Sequence, residues 1–143
     1  MASFGSAAVQ NIGTSGANVP LLNGNNVWSG SARFQKQTYG DEVILSVVSN
    51  ASTPDFALGN YFTVTIGAGY TLNNPLNIQP GQSGLIRITQ SAGSLSITWD
   101  TAYKSAGGIA TGNLSGISSG IDYFPFYAHS MTEIVISPML NIS

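Results

Sequence analysis

An all-β domain behind an extended N-terminal arm is the fold class the sequence predicts, and three observations predict it. From Tyr39 onward the chain breaks into short apolar or alternating runs, each closed by Gly, Asn, Pro or Ser at a spacing of roughly 10 to 20 residues. No stretch repeats its apolar residues with the period of a helix. Residues 1 to about 32 carry no charged side chain and follow neither the helical nor the strand period. These observations divide the chain into an arm, 1–38, and a β domain, 39–143. Its six strand-like runs suffice for an antiparallel sandwich, a jelly-roll-like arrangement or an open barrel.

Within the arm, Val19-Pro20-Leu21-Leu22 is followed by the turn-forming Asn23-Gly24-Asn25-Asn26 and then by Val27-Trp28. Val19, Leu21, Leu22 and Trp28 are spaced as small apolar anchors, which predicts attachment to a neighbouring surface.

The expected strands are Glu42–Ser49, Asn60–Gly67, Gly84–Gln90, Ser94–Trp99, Ile121–Ala128 and Thr132–Asn141. In Tyr61-Phe62-Thr63-Val64-Thr65-Ile66 the even positions are apolar and Thr63 and Thr65 alternate with them, the pattern of a strand with one face buried. Leu95-Ser96-Ile97-Thr98-Trp99 follows the same rule. The three residues Ser91-Ala92-Gly93 between the third and fourth runs predict a hairpin. Ala106 to Gly120 holds five glycines with single aliphatics between them, so it reads as a long loop packed against a partner chain. That places Ile109, Leu114 and Ile117 at a subunit interface. Ile121 to Ala128 brings Tyr123, Phe124, Phe126 and Tyr127 around Pro125, which argues for an edge or bulged strand. Phe124 and Phe126 join the expected interface.

Charged residues make up 7% of the chain, with four basic and six acidic, where about 25% is ordinary. Gly, Ser, Asn and Thr number 17, 19, 12 and 11, so neutral polar groups keep the chain soluble. Four scattered cations at net charge −2 form no stripe that could displace counterions from a phosphate backbone, which excludes nucleic acid as a partner. The same count argues against an anionic membrane surface. Weak electrostatic repulsion between copies favours self-association. The absence of cysteine removes disulfides and thiol catalysis, and no apolar run is long enough for a membrane span or a secretion signal.

Catalytic chemistry has few residues to draw on. His129 is the single histidine, so a histidine-rich metal site is excluded and any triad would depend on it. It reads as a polar residue closing a strand. The six acids, Asp41, Glu42, Asp55, Asp100, Asp122 and Glu133, each fall at an expected strand end or turn, where carboxylates cap and solvate. No phosphate-binding loop, dinucleotide fingerprint, nucleophile elbow or calcium loop is present. No cofactor is expected, and no enzyme activity. A sugar-stacking platform would draw on Trp28, Tyr39, Trp99 and Tyr103.

One segment carries a family likeness. Thr71-Leu72-Asn73-Asn74-Pro75, followed by Pro80-Gly81-Gln82-Ser83-Gly84, an aliphatic strand and Gln90, resembles a pattern in structural proteins of tailed bacteriophages. Leu95 to Trp99, Ala102-Tyr103-Lys104, Gly107-Gly108, Tyr127, His129-Ser130 and Thr132-Glu133-Ile134 extend the likeness, as do Gly13 to Ala17, Pro20-Leu21-Leu22 and Asn25 to Gly30 in the arm. In this pattern Pro80-Gly81 sets a tight turn, Gln82 bonds the turn's backbone, and Gly84 lets the next strand start close to a neighbouring chain. The resemblance implies a virion structural domain, usually trimeric, without enzymatic activity. Fibre domains of this kind often end long shafts, and this chain shows none, so the expectation is a capsid decoration (cement) protein. It would form a homotrimer on the surface of the phage particle, binding the major capsid protein or another virion protein. The alternative is a short tail-fibre or tail-tip protein that binds host-surface glycan.

Overall fold

The computed structural model describes residues 40–110 and 114–140. Its strands are β1 (Glu42–Ile44), β2 (Ala51–Ser52), β3 (Tyr61–Ile66), β4 (Tyr70–Leu72), β5 (Ser83–Gln90), β6 (Ile97–Trp99), β7 (Tyr103–Ser105), β8 (Gly108–Ile109), β9 (Ile121–Ala128) and β10 (Ile134–Ile136). Among the described residues there is no helix. The arm anchors Val19, Leu21, Leu22 and Trp28 lie outside the described residues.

The strands form a seven-stranded sheet, ordered β1-β3-β5-β9-β10-β7-β8, and a three-stranded sheet, ordered β2-β4-β6. From β1 to β6 the chain alternates between the two sheets. Each return to a sheet lays the new strand beside the earlier one and in the same direction. Consequently β1, β3 and β5 are mutually parallel, and so are β2, β4 and β6. The register stacks Val43, Phe62 and Ile86 in one row across the large sheet, with Val64 beside Ile88. The small sheet sets Leu72 between Ser52 and Trp99. Antiparallel pairing is confined to the later strands: β7 with β8, and β9, which lies against β5 on one side and β10 on the other.

The expected β class holds for the described residues, and the antiparallel arrangement of a sandwich, jelly roll or barrel is corrected: both sheets share one core, the large sheet is mixed, and the small one is parallel. The hairpin expected at Ser91-Ala92-Gly93 is also absent. β5 has both edges occupied, by β3 and β9, and the chain after Gln90 crosses to the small sheet, where β6 pairs with β4. Ser94 takes a positive φ of 57° at this crossing, and its N–H donates to the Gly116 carbonyl.

Nor is β9 an edge strand. Pro125 is tolerated in the middle of the sheet because its nitrogen faces β10, where the Ser137 N–H donates to the Pro125 carbonyl and only the reverse bond is lost. The loop expected over 106–120 contributes Gly108–Ile109 as β8, paired with β7.

The core lies between the two sheets. Phe56, Phe62 and Phe126 form one aromatic stack, with ring centroids 5.2 Å and 4.7 Å from Phe56 to the other two. Trp99 of the small sheet joins the layers, its ring 4.8 Å from that of Phe124 and 5.1 Å from that of Tyr103. Burying each such ring is worth on the order of 2–3 kcal/mol, so these aromatics dominate the cohesion of the domain.

Candidate functional site

The motif behind the phage resemblance is a set of braces inside the chain. Asn73 donates its side-chain amide to Thr53 Oγ1 at 3.0 Å, and its carbonyl accepts from the Tyr103 hydroxyl. Asn74 donates to Thr101 Oγ1, accepts from the Ala102 N–H at 2.7 Å, and gives its own N–H to Asp100 Oδ2. Two adjacent asparagines thus hold the turn after β6 and the segment after β2 against the end of β4. Gln79-Pro80-Gly81-Gln82 closes a tight turn through Gln82 N–H to the Gln79 carbonyl, and Gly81 supplies the φ of 87° that the third position of such a turn requires.

Two parts of the expected motif mechanics are corrected. The Gln82 amide reaches beyond its own turn to the carbonyls of Phe56 and Gly59, at 2.9 Å and 3.1 Å. Gly84 permits a close approach within the chain itself: a Cβ there would collide with the Asn60 carbonyl oxygen and stand 2.6 Å from the Phe126 ring.

A second polar cluster is buried at the far end of β5. Gln90 and Asp122 are fully buried; the Gln90 amide donates to Asp122 Oδ2 at 2.9 Å and to Ser115 Oγ at 2.8 Å. Asp122 Oδ2 also accepts from the Ser115 N–H and hydroxyl. One carboxylate oxygen therefore fastens the end of the glycine-rich loop to the large sheet. Of the six acids, Asp122 is the one that is not at a strand end or turn, being the second residue of β9 and paired across from Ile88. Asp55 and Asp100 behave as caps. Hydrogen bonds from the Asn77 amide and the Ala57 N–H hold the Asp55 carboxyl below its ordinary 3.8, and those from the Thr101 and Asn74 N–H groups do the same for Asp100. Burial pushes the Tyr103 hydroxyl well above its ordinary value.

The remaining feature is the outward face of the large sheet. The register places Ile44, Thr63, Arg87, Tyr123 and Met139 side by side in a row across it. The next row runs Glu42, Tyr61, Leu85, Pro125. Glu42, Ile44, Thr63, Thr65, Arg87 and Thr89 line a shallow groove of about 280 Å³ on this face. Arg87 Nε is buried with no hydrogen-bond partner. Apolar side chains also stand exposed here, Ile44 at 74% and Tyr127 at 51%. A second cleft of about 300 Å³, lined by Ser105, Ala106, Ala110, Phe124, Ile136, Ser137 and Pro138, contains no titratable side chain.

The residues singled out from the sequence are distributed as follows. Leu114, Phe124 and Phe126 belong to the chain's own core, so their side chains are not on its surface, whereas Ile117 is 47% exposed. Ile109 pairs with Lys104 through the backbone. Trp99 and Tyr103 are buried and pack against each other with their rings tilted by 59°, which removes them from an exposed sugar platform; Trp28 and Tyr39 lie outside the described residues. His129 is exposed just past β9, where its N–H donates to the Glu133 carbonyl. No three His, Asp or Glu side chains come together as a metal site among the described residues.

Sequence reasoning missed the Arg87 row. Alternation in β3 and β5 marks Thr63 and Arg87 as outward-facing, but only the register shows that they are neighbours. Compared with known proteins, the chain matches no family model, no curated protein and no solved structure.

Proposed function

We propose that this chain is a structural protein of a tailed-bacteriophage virion. In this reading it is a homotrimeric capsid decoration protein whose residues 1–38 attach it to the major capsid protein at the particle surface. The observation that supports the reading is where the polar chemistry of the described residues goes. The motif asparagines and Gln82 tie segments of the fold together, and Asp55, Asp100 and Asp122 each accept hydrogen bonds from the chain itself. What the domain offers outward is a broad, weakly charged sheet face suited to packing. Apolar area buried between such surfaces, at about 25 cal/mol per Å², would stabilise a shell without chemistry.

The test is attachment to virus particles that lack the protein. The full chain should decorate them, and deletion of residues 2–32, which removes Val19, Leu21, Leu22 and Trp28, should abolish attachment while the β domain stays folded. A truncated protein that still decorates particles would overturn the reading.

A further inference from the structure

We propose that the outward face of the large sheet is where a second copy of this chain packs, with Glu42 of one copy set against Arg87 of the next. The inference rests on the self-association in the reading above and adds a contact that joins two copies in a pair, distinct from a three-fold contact within a trimer. Three observations carry it.

The first is complementarity. Glu42 on β1 and Arg87 on β5 line the same groove, separated by β3 and offset by one row along the strands. Strand spacing and rise put them roughly 12 Å apart, too far to pair within the chain. Glu42 stands at one edge of this face and Arg87 two strands in, with Lys104 toward the other edge, so a two-fold contact between copies brings Glu42 of each to Arg87 of the other.

The second is the state of Arg87. Its Nε is already out of water and has no acceptor. A buried donor left unsatisfied is costly, and a carboxylate is the acceptor a guanidinium takes best. On an incoming copy, Glu42 stands on an edge strand and is exposed, free to reach across.

The third is area. The seven strands of the sheet hold 33 residues, which span roughly 520 Å² of flat sheet. Side-chain relief raises this toward the ~800 Å² per partner of a standard stable interface. Tyr61, Leu85, Tyr123 and Pro125 in the middle of the face supply apolar cover around the charge pair. Two such sheets would stack about 10 Å apart.

The test uses the full 143-residue chain, which contains no cysteine, so an introduced one is unique. Glu42→Cys and Arg87→Cys proteins, mixed and oxidised, should form a disulfide-linked pair that neither forms alone. In light scattering on a sizing column, Arg87→Glu should weaken association about tenfold or more, and the double variant Glu42→Arg/Arg87→Glu should restore it. A native chain that stays monomeric at high concentration overturns the inference. So does an oligomer whose mass ignores the single reversal and whose cysteine variants do not cross-link, a result that leaves the virion reading standing. If the virion reading fails instead, the oligomer and its cross-link persist and particle binding is absent.

Discussion

Replacing Gly84 by alanine tests how closely the fold is packed around the motif. A Cβ at this position would collide with the Asn60 carbonyl oxygen and lie 2.6 Å and 2.7 Å from two atoms of the Phe126 ring. Neither neighbour is free to yield. The Asn60 carbonyl accepts from the Leu85 N–H at 2.8 Å, so moving it breaks the start of the β3–β5 ladder. Phe126 is held by Phe56, whose ring centroid lies 4.7 Å away. Overpacking a core by one methyl costs about 1–3 kcal/mol, and two pinned neighbours place Gly84→Ala at about 3 kcal/mol or more. For a domain of about 100 residues that lowers the melting temperature by roughly 12–24 °C. Gly81→Ala is the comparison. Its Cβ would meet nothing within 4 Å, but its φ of 87° strains any side chain, at about 1–2 kcal/mol. Thermal and urea unfolding of both variants should rank Gly84→Ala as the more damaging. Equal losses, or a wild-type melting temperature for Gly84→Ala, would refute the close approach of β5 to Asn60 and Phe126.

Further expectations follow from the polar clusters. Asp122→Ala should destabilise the chain by about 2–4 kcal/mol in urea unfolding, because the buried Gln90 amide and the Ser115 N–H lose their shared acceptor; Asp122→Asn, which keeps an acceptor oxygen, should cost less. Asp55 and Asp100 are more acidic folded than unfolded, so they stabilise the chain above pH ~3.8 and that contribution is lost as pH falls through their lower folded values. Melting temperatures measured from pH 6 down to pH 2 should fall below about pH 4, and Asn77→Ala, which removes the main bond to Asp55, should flatten that decline.

The strands themselves were legible because alternation reports a buried face. β3, β5 and β9 fall within a residue of the runs that Phe62-Val64-Ile66, Ile86-Ile88 and Phe124-Phe126 define. Their partners were not legible, since a period of two is the same whether the neighbour runs parallel or antiparallel. Ser91-Ala92-Gly93 shows the difficulty: a short Gly-ended link suits a hairpin and suits equally a step from one sheet to the other. β2 and β4 were passed over because two or three residues flanked by Asn and Pro carry too little pattern. The core positions of Phe124 and Phe126 were not legible for a related reason. Phe124 and Phe126 look like surplus aromatics in a row, and only the second sheet, through Trp99, and the Phe56 stack show where they go.

The wound arrangement of the first six strands also bears on how the chain comes off the ribosome. Each of those strands lies beside one made about 20 to 30 residues earlier, so these pairings close short loops and can form as synthesis proceeds. The free side of β5 has no such early partner, because β9 emerges about 30 residues after β5 is complete. During that interval a nascent chain presents an eight-residue open strand edge, the kind that recruits strands from other molecules. The last sixth of the sequence thus acts as a closing seam, and a ribosome that stalls or terminates before Ile121 would release a polypeptide primed to aggregate.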